Sequence, residues 1–257
     1  MAWKRLPRRL RHGEEATVVE HLDELRTRIF IALGAIIPAF LIAFAFNERL
    51  IRWLSEPLPD PQQKLAVFGV TEAFFTSVKV SFYAAIALAL PVILYQLWSF
   101  LAPALEEHIQ RVIAVFVAIA TVLFAAGVAF GYFVVLPAAL DFLVGYESDL
   151  FESQIRASYY FSFVTLMLLA MGLVFELPIW ILALVRIRIL TADKLRRNRR
   201  IGYVLALALA ILLPTIDPVS LIFEAIPIFI LFEASIWLAV FFERRWESAW
   251  DESLETP

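Results

Sequence analysis

Residues 159–185 read YYFSFVTLMLLAMGLVFELPIWILALV, 27 residues with a single charged side chain, Glu176. A helix crossing a hydrocarbon core about 30 Å thick needs about 20 residues at 1.5 Å each. The run is long enough to cross and must tilt or kink. Further apolar runs occupy 29–46, 73–101, 112–140 and 219–242, and a shorter one covers 201–213. The shorter run, between Arg200 and Asp217, falls below a full crossing, and Pro214-Thr215-Ile216-Asp217-Pro218 turns the chain back. Two prolines four residues apart do not fit inside one straight helix, so the fifth and sixth segments read as a hairpin.

Composition agrees. The chain has 257 residues, of which 61% are hydrophobic and 18% charged, and its mean hydropathy is +0.79. Soluble domains average about 45–50% apolar and about 25% charged, which makes a water-soluble enzyme or binding domain a poor fit. With 23 Phe, 7 Trp and 7 Tyr, the chain is not disordered. It has no cysteine, hence no disulfide, thiolate metal site or Cys nucleophile. The first run is too long for a typical leader core and is preceded by five acids (Glu14, Glu15, Glu20, Asp23, Glu24), so a retained helix is expected there.

With six crossings, 17 of the 22 Lys and Arg fall on the side of the N terminus, mostly in 1–28 and 186–200. The other side holds Arg49, Arg52, Lys64 and Arg156, with Lys79 just inside the second run. Excess basic charge marks cytoplasmic loops, so both termini are expected in the cytoplasm. The opposite loops collect Glu48, Glu56, Asp60, Glu72, Asp141, Glu147, Asp149 and Glu152. The domain expectation is a cytoplasmic segment at 1–28 with an amphipathic helix, one six-helix transmembrane domain at 29–242, and a cytoplasmic tail at 243–257.

Thr17 and Glu20 form a capping box. Val18, Leu22, Leu25 and Ile29 then make one apolar stripe, with Glu20, Asp23 and Glu24 opposite. Glu24 and Arg28 stand i, i+4 in the favourable order. The acidic face reads either as a solvated surface or as a contact for a cationic partner. In the second loop on this side, Pro103 breaks the preceding helix, and Glu106 and Glu107 occupy a first helical turn. Glu176 lies about ten residues from one end of its run, where a charge costs on the order of 2.5–3.5 kcal/mol and faces a cavity or partner or is protonated. Glu224 and Glu233 pose the same question in the last run, and no Lys or Arg in the adjacent apolar cores is available to pair with them. No G-x-S-x-G, H-E-x-x-H or Walker A motif is present, and His12, His21 and His108 lie far apart in sequence, so neither enzyme nor metal chemistry is expected.

His21-Leu22-Asp23-Glu24-Leu25-Arg26-Thr27-Arg28 resembles the H-L-x-E-L-R-x-R signature of the TatC family, the receptor subunit of the twin-arginine protein translocase. Residues 91–105, PVILYQLWSFLAPAL, resemble that family's second helix and following loop. Gly131 to Pro137 resemble its third helix, Phe175-Glu176-Leu177-Pro178 its F-E-x-P, and Pro227 to Glu233 its sixth helix. The resemblance implies an all-α polytopic membrane protein: six transmembrane helices in a cupped bundle, with short fifth and sixth helices. It implies binding of twin-arginine signal peptides, so that folded cargo crosses the cytoplasmic membrane on the proton-motive force. No cofactor, metal or nucleic acid is implied. The partners implied are TatA- or TatB-like single-helix subunits, further copies of the chain, and membrane lipid. By position, Glu24 receives the arginines, Arg26 and Arg28 support it, and Phe100 belongs to the same binding site. Glu176, with Glu233, forms an intramembrane polar or partner site, while Pro57, Pro103 and Asp217 are structural. Ile109 stands where the family loop has a glutamate, and Glu106 or Glu107 is the expected substitute. The competing reading is an ion-coupled secondary transporter with Glu176 as coupling carboxylate, although the halves show no clear repeat.

Overall fold

The computed structural model describes residues 18–59, 65–101, 113–146, 154–186, 189–214 and 217–255, with backbone only for 18–20, 101 and 244–255. Pro103, Glu106, Glu107, Ile109 and the Thr17 cap lie outside the described residues. The described residues are nearly all helical. α1 is Val18–Ala45, α2 Asn47–Ser55, α3 Glu72–Leu101 and α4 Ile113–Phe130. A π turn at Gly131–Val135 joins α4 to α5, Leu136–Gly145. Then follow α6 Ala157–Phe175, α7 Leu177–Arg186, α8 Ala192–Arg197, α9 Arg199–Leu212 and α10 Pro218–Glu255.

Among the described residues, five helical rods are long and apolar enough to cross a membrane: His21–Ala45, Glu72–Phe100, Ile113–Gly145, Ala157–Arg186 and Pro218–Glu243. The sixth member, α9, has 14 residues and rises roughly 21 Å, so the expectation of a short fifth helix holds. The expectation of a short sixth helix is corrected, since α10 runs unbroken for 38 residues. Its apolar part ends near Phe242, but nothing in the following charged sequence breaks a helix, and it continues through the tail. Helix α1 likewise runs without interruption across residue 28.

Proline chemistry explains the breaks inside the rods. Pro137 has no N–H and crowds the preceding turn, and that turn widens into the π segment. Pro178 cannot donate to Val174. Instead the Glu176 N–H bonds Leu173 O at 3.1 Å, and the N–H groups of Ile179 and Trp180 bond Glu176 O at 3.0 and 3.1 Å, restarting the helix.

Small residues set the closest crossings, as expected where lipid replaces water and van der Waals contact must do the work. A Cβ on Gly127 would stand 2.6 Å from the carbonyl oxygen of Met171, and one on Gly172 would stand 2.4 Å from the Phe124 ring. Helix α1 meets α3 through Ala35 and Ala39 against Ala85 and Ala89. Its other side exposes Phe30, Leu33, Ile37 and Leu41, as a lipid-facing helix does. The inner core is built on Val135, Leu136, Val164, Met167, Met171 and Ile228.

At the end of the bundle away from the N terminus, two tyrosine hydroxyls bond carbonyls in the last turn of α2. Tyr132 donates to Trp53 O at 2.8 Å and Tyr160 to Leu54 O at 2.6 Å. Half-buried Pro57 follows this pinned turn. Beside it, Ala66 pairs with the backbone of Ile155 and Ala157. The buried Glu72 carboxylate accepts from the N–H groups of Phe68 and Gly69 and from Arg156 at 2.7 and 3.1 Å. That clamp joins the starts of α3 and α6, and the Glu72 carboxylate pushes the Arg156 pKa up.

Candidate functional site

The close packing of α1 on α3 brings His21, Glu24, Arg28, Gln96 and Phe100 together at the end of the bundle that carries the N terminus. One helical turn separates Glu24 from Arg28, and the guanidinium reaches back to the carboxylate. Both of its bonds land on the same oxygen: Nε donates to Oε1 at 2.9 Å, and Nη2 donates to Oε1 as well. Arg28 Nη1 also lies 3.5 Å from Gln96 Oε1 on α3. The Glu24 side chain retains 21% of its exposure, and among the described residues no hydrogen bond to Oε2 is found. His21 stacks on Phe100 with ring centroids 4.3 Å apart and planes 17° apart. Arg26 points elsewhere: it is exposed, with its guanidinium over the Phe30 ring.

The cluster thus presents a half-covered carboxylate whose Oε1 takes both Arg28 bonds and whose Oε2 takes none among the described residues, beside an aromatic pair. A guanidinium can bind such an oxygen through charge-assisted bonds, and its planar fork suits a carboxylate better than an ammonium does. Gln96 was not foreseen as part of this site. It is the one side-chain amide in 91–98, where no residue is charged, and that isolation was the available signal.

The intramembrane carboxylates separate into different environments. Glu176 closes α6 at the proline break and is 1% exposed, and its Oε1 has no hydrogen-bond partner among the described residues. Rather than lining an open cavity, it is enclosed. Trp98 Nε1 is also buried without a partner among the described residues, and its ring stacks on Trp180, one turn beyond Glu176. Glu224 is fully buried.

Glu233 is a correction. It accepts from the Tyr203 hydroxyl and pairs with Arg199 at 3.5 Å. The adjacent apolar cores do lack a cation, but the α9–α10 hairpin brings the first residue of α9 alongside Glu233. Arg199 and Tyr203 were missed because nothing local marks them. Gly202 allows the close approach, since a Cβ there would stand 2.0 Å from the Phe232 ring. Asp217 caps α10, accepting the Ser220 N–H at 2.7 Å. No group of three or more His, Cys, Asp and Glu residues suited to a metal occurs among the described residues.

A family model described as Sec-independent protein translocase protein (TatC) matches residues 20–227. The chain is 37% identical over 235 residues to a Sec-independent protein translocase protein TatC from Magnetococcus marinus, covering 90% of this chain and 87% of that one. It is 36% identical to the TatCd protein of Bacillus subtilis, covering 90% and 95%. A crystal structure of the twin-arginine translocase receptor TatC superposes with a TM-score of 0.77 at 34% identity, covering 85% of this chain and 99% of that one.

Proposed function

Since this chain belongs to the TatC family of Sec-independent protein translocase proteins, we propose that it is the twin-arginine receptor whose Glu24 takes up the guanidinium groups of the signal peptide. The observation that carries this reading is the one-sided pairing of Glu24, with both Arg28 bonds on Oε1 and none to Oε2 among the described residues. Arg28 orients the carboxylate, Gln96 steadies Arg28, and the His21–Phe100 stack provides an apolar wall for the residues flanking the arginines. Each charge-assisted bond contributes about 1.5–3 kcal/mol, so a signal lacking the planar forks binds at least about tenfold more weakly. The work is recognition, with no bond made or broken. In this reading Glu106 or Glu107 supplies the second carboxylate that Ile109 does not.

The chain works as a component of the Tat translocase, exporting folded cargo on the proton-motive force. It resides in the cytoplasmic membrane with both termini inside, a placement supported by the basic charge excess on that side. Its partners in this reading are TatA- or TatB-like single-helix subunits and further copies of itself. The transporter reading of Glu176 is not favoured, because the relatives are translocase proteins.

Photo-crosslinking to peptides carrying Arg-Arg, Lys-Lys or Ala-Ala tests the proposal. The Arg-Arg peptide is expected to crosslink best. Glu24→Ala should lower that crosslinking about tenfold, with partial retention in Glu24→Asp. Equal labelling by all three peptides, or an unaffected alanine variant, overturns it.

A further inference from the structure

Lys79 lies roughly 10 Å along α3 from Glu72, inside the second long rod. Of the other Lys and Arg residues in the five long rods, Arg26 and Arg28 precede the apolar run that starts at 29, and Arg186 closes α7. Lys79 alone is set among membrane-facing side chains. It is exposed, and Phe75 and Phe82, a turn to either side on its face, are exposed too. Its ammonium donates to Ser162 Oγ of α6 at 2.9 Å. Ser162 is flanked on its own face by exposed Tyr159 and Leu166.

The seam between α3 and α6 therefore carries a polar island inside an apolar surface. A hydroxyl offers the ammonium a hydrogen bond but no counter-charge, and a lone cation at such depth costs free energy until an anion meets it. No ion pair of Lys79 occurs among the described residues, and the nearest acid on its helix, Glu72, is bonded to Arg156 and backbone amides. The bond to Ser162, five residues into α6, draws the ammonium across the seam rather than up towards lipid headgroups.

We propose that this seam docks a membrane-spanning helix of a partner protein that carries one carboxylate about two turns from the end of its apolar span. The helix would cover Phe75, Phe82, Tyr159 and Leu166, and its carboxylate would pair with Lys79. A second copy of this chain fits less well. Its Glu176 and Glu224 are buried, Glu233 is bonded to Tyr203 and Arg199, and exposed Asp141 lies only one turn from the end of α5. The surface is at the opposite end of α3 from Glu24 and Phe100, so the inference stands apart from signal recognition.

The test uses the full chain in phosphatidylcholine vesicles, titrated by energy transfer with a labelled leucine-rich single-span helix carrying Glu or Gln two turns from its end. The Glu helix should bind at least about tenfold tighter than the Gln helix. Lys79→Gln should abolish that preference and Lys79→Arg should keep it, with helix content by circular dichroism unchanged in both. Equal binding of the two helices, or a preference that survives Lys79→Gln, overturns the proposal. So does a preference erased by adding phosphatidylglycerol, which assigns the ammonium to a lipid phosphate. Self-association lost in Asp141→Asn also overturns it, assigning the seam to a second copy.

Discussion

Two glutamates show how surroundings assign different work to one side chain. Glu24 sits at the edge of the membrane rod, with Arg28 one turn away and Gln96 behind it. Its Oε2 takes no hydrogen bond among the described residues. Glu176 sits where α6 breaks, enclosed, with Oε1 meeting nothing among the described residues. A buried polar group without a partner costs about 1–3 kcal/mol, and residues kept at that cost are kept for function rather than stability. Glu176→Leu should therefore raise the thermal unfolding midpoint of the purified protein by several degrees while cutting export of a twin-arginine reporter. Calorimetry or a thermal shift in detergent, run beside an export assay, reads both. The Glu24–Arg28 pair was legible in the sequence because i, i+4 neighbours must meet on a helix. Gln96 was not, because its partner lies 68 residues away.

Among the elements, the third and fourth rods carry the irregularities. Pro137 and Pro178 announce a disturbance in the sequence. The form it takes, a π turn in one case and a glutamate-capped break in the other, is decided by where neighbouring carbonyls find donors. Gly127 and Gly172 hold the rods together by what they lack. Gly127→Ala should destabilise the protein by about 1–3 kcal/mol, because the new methyl meets the Met171 backbone, which has little room to move. Gly34→Ala is the matched control: its Cβ would meet nothing within 4 Å, and alanine is the better helix former, so the midpoint should hold or rise slightly. The same thermal scans compare the two variants.

At the scale of the molecule, six apolar segments and an uneven basic charge set a six-helix membrane bundle with a defined orientation. The absence of cysteine makes that orientation directly measurable. In intact cells an impermeant maleimide should label Ser153→Cys and leave Asp193→Cys unlabelled until the membrane is opened. The reverse pattern would invert the orientation. The length of α10 was less legible, since apolar sequence marks where lipid ends and not where a helix ends.

Sequence alone determined the class of the protein, the count and order of its spans, its charge asymmetry and the pairing of Glu24 with Arg28, because each follows from composition or from neighbours within about one turn. Only the tertiary structure decided which carboxylates have partners. Glu72 found Arg156 from 84 residues away and Glu233 found Tyr203 from 30, while Glu176 Oε1 has no partner among the described residues. Helical periodicity says which face a side chain occupies. What stands opposite that face depends on how the rods cross, and small residues such as Gly127, Gly172 and Gly202 set those crossings through contacts between distant parts of the chain.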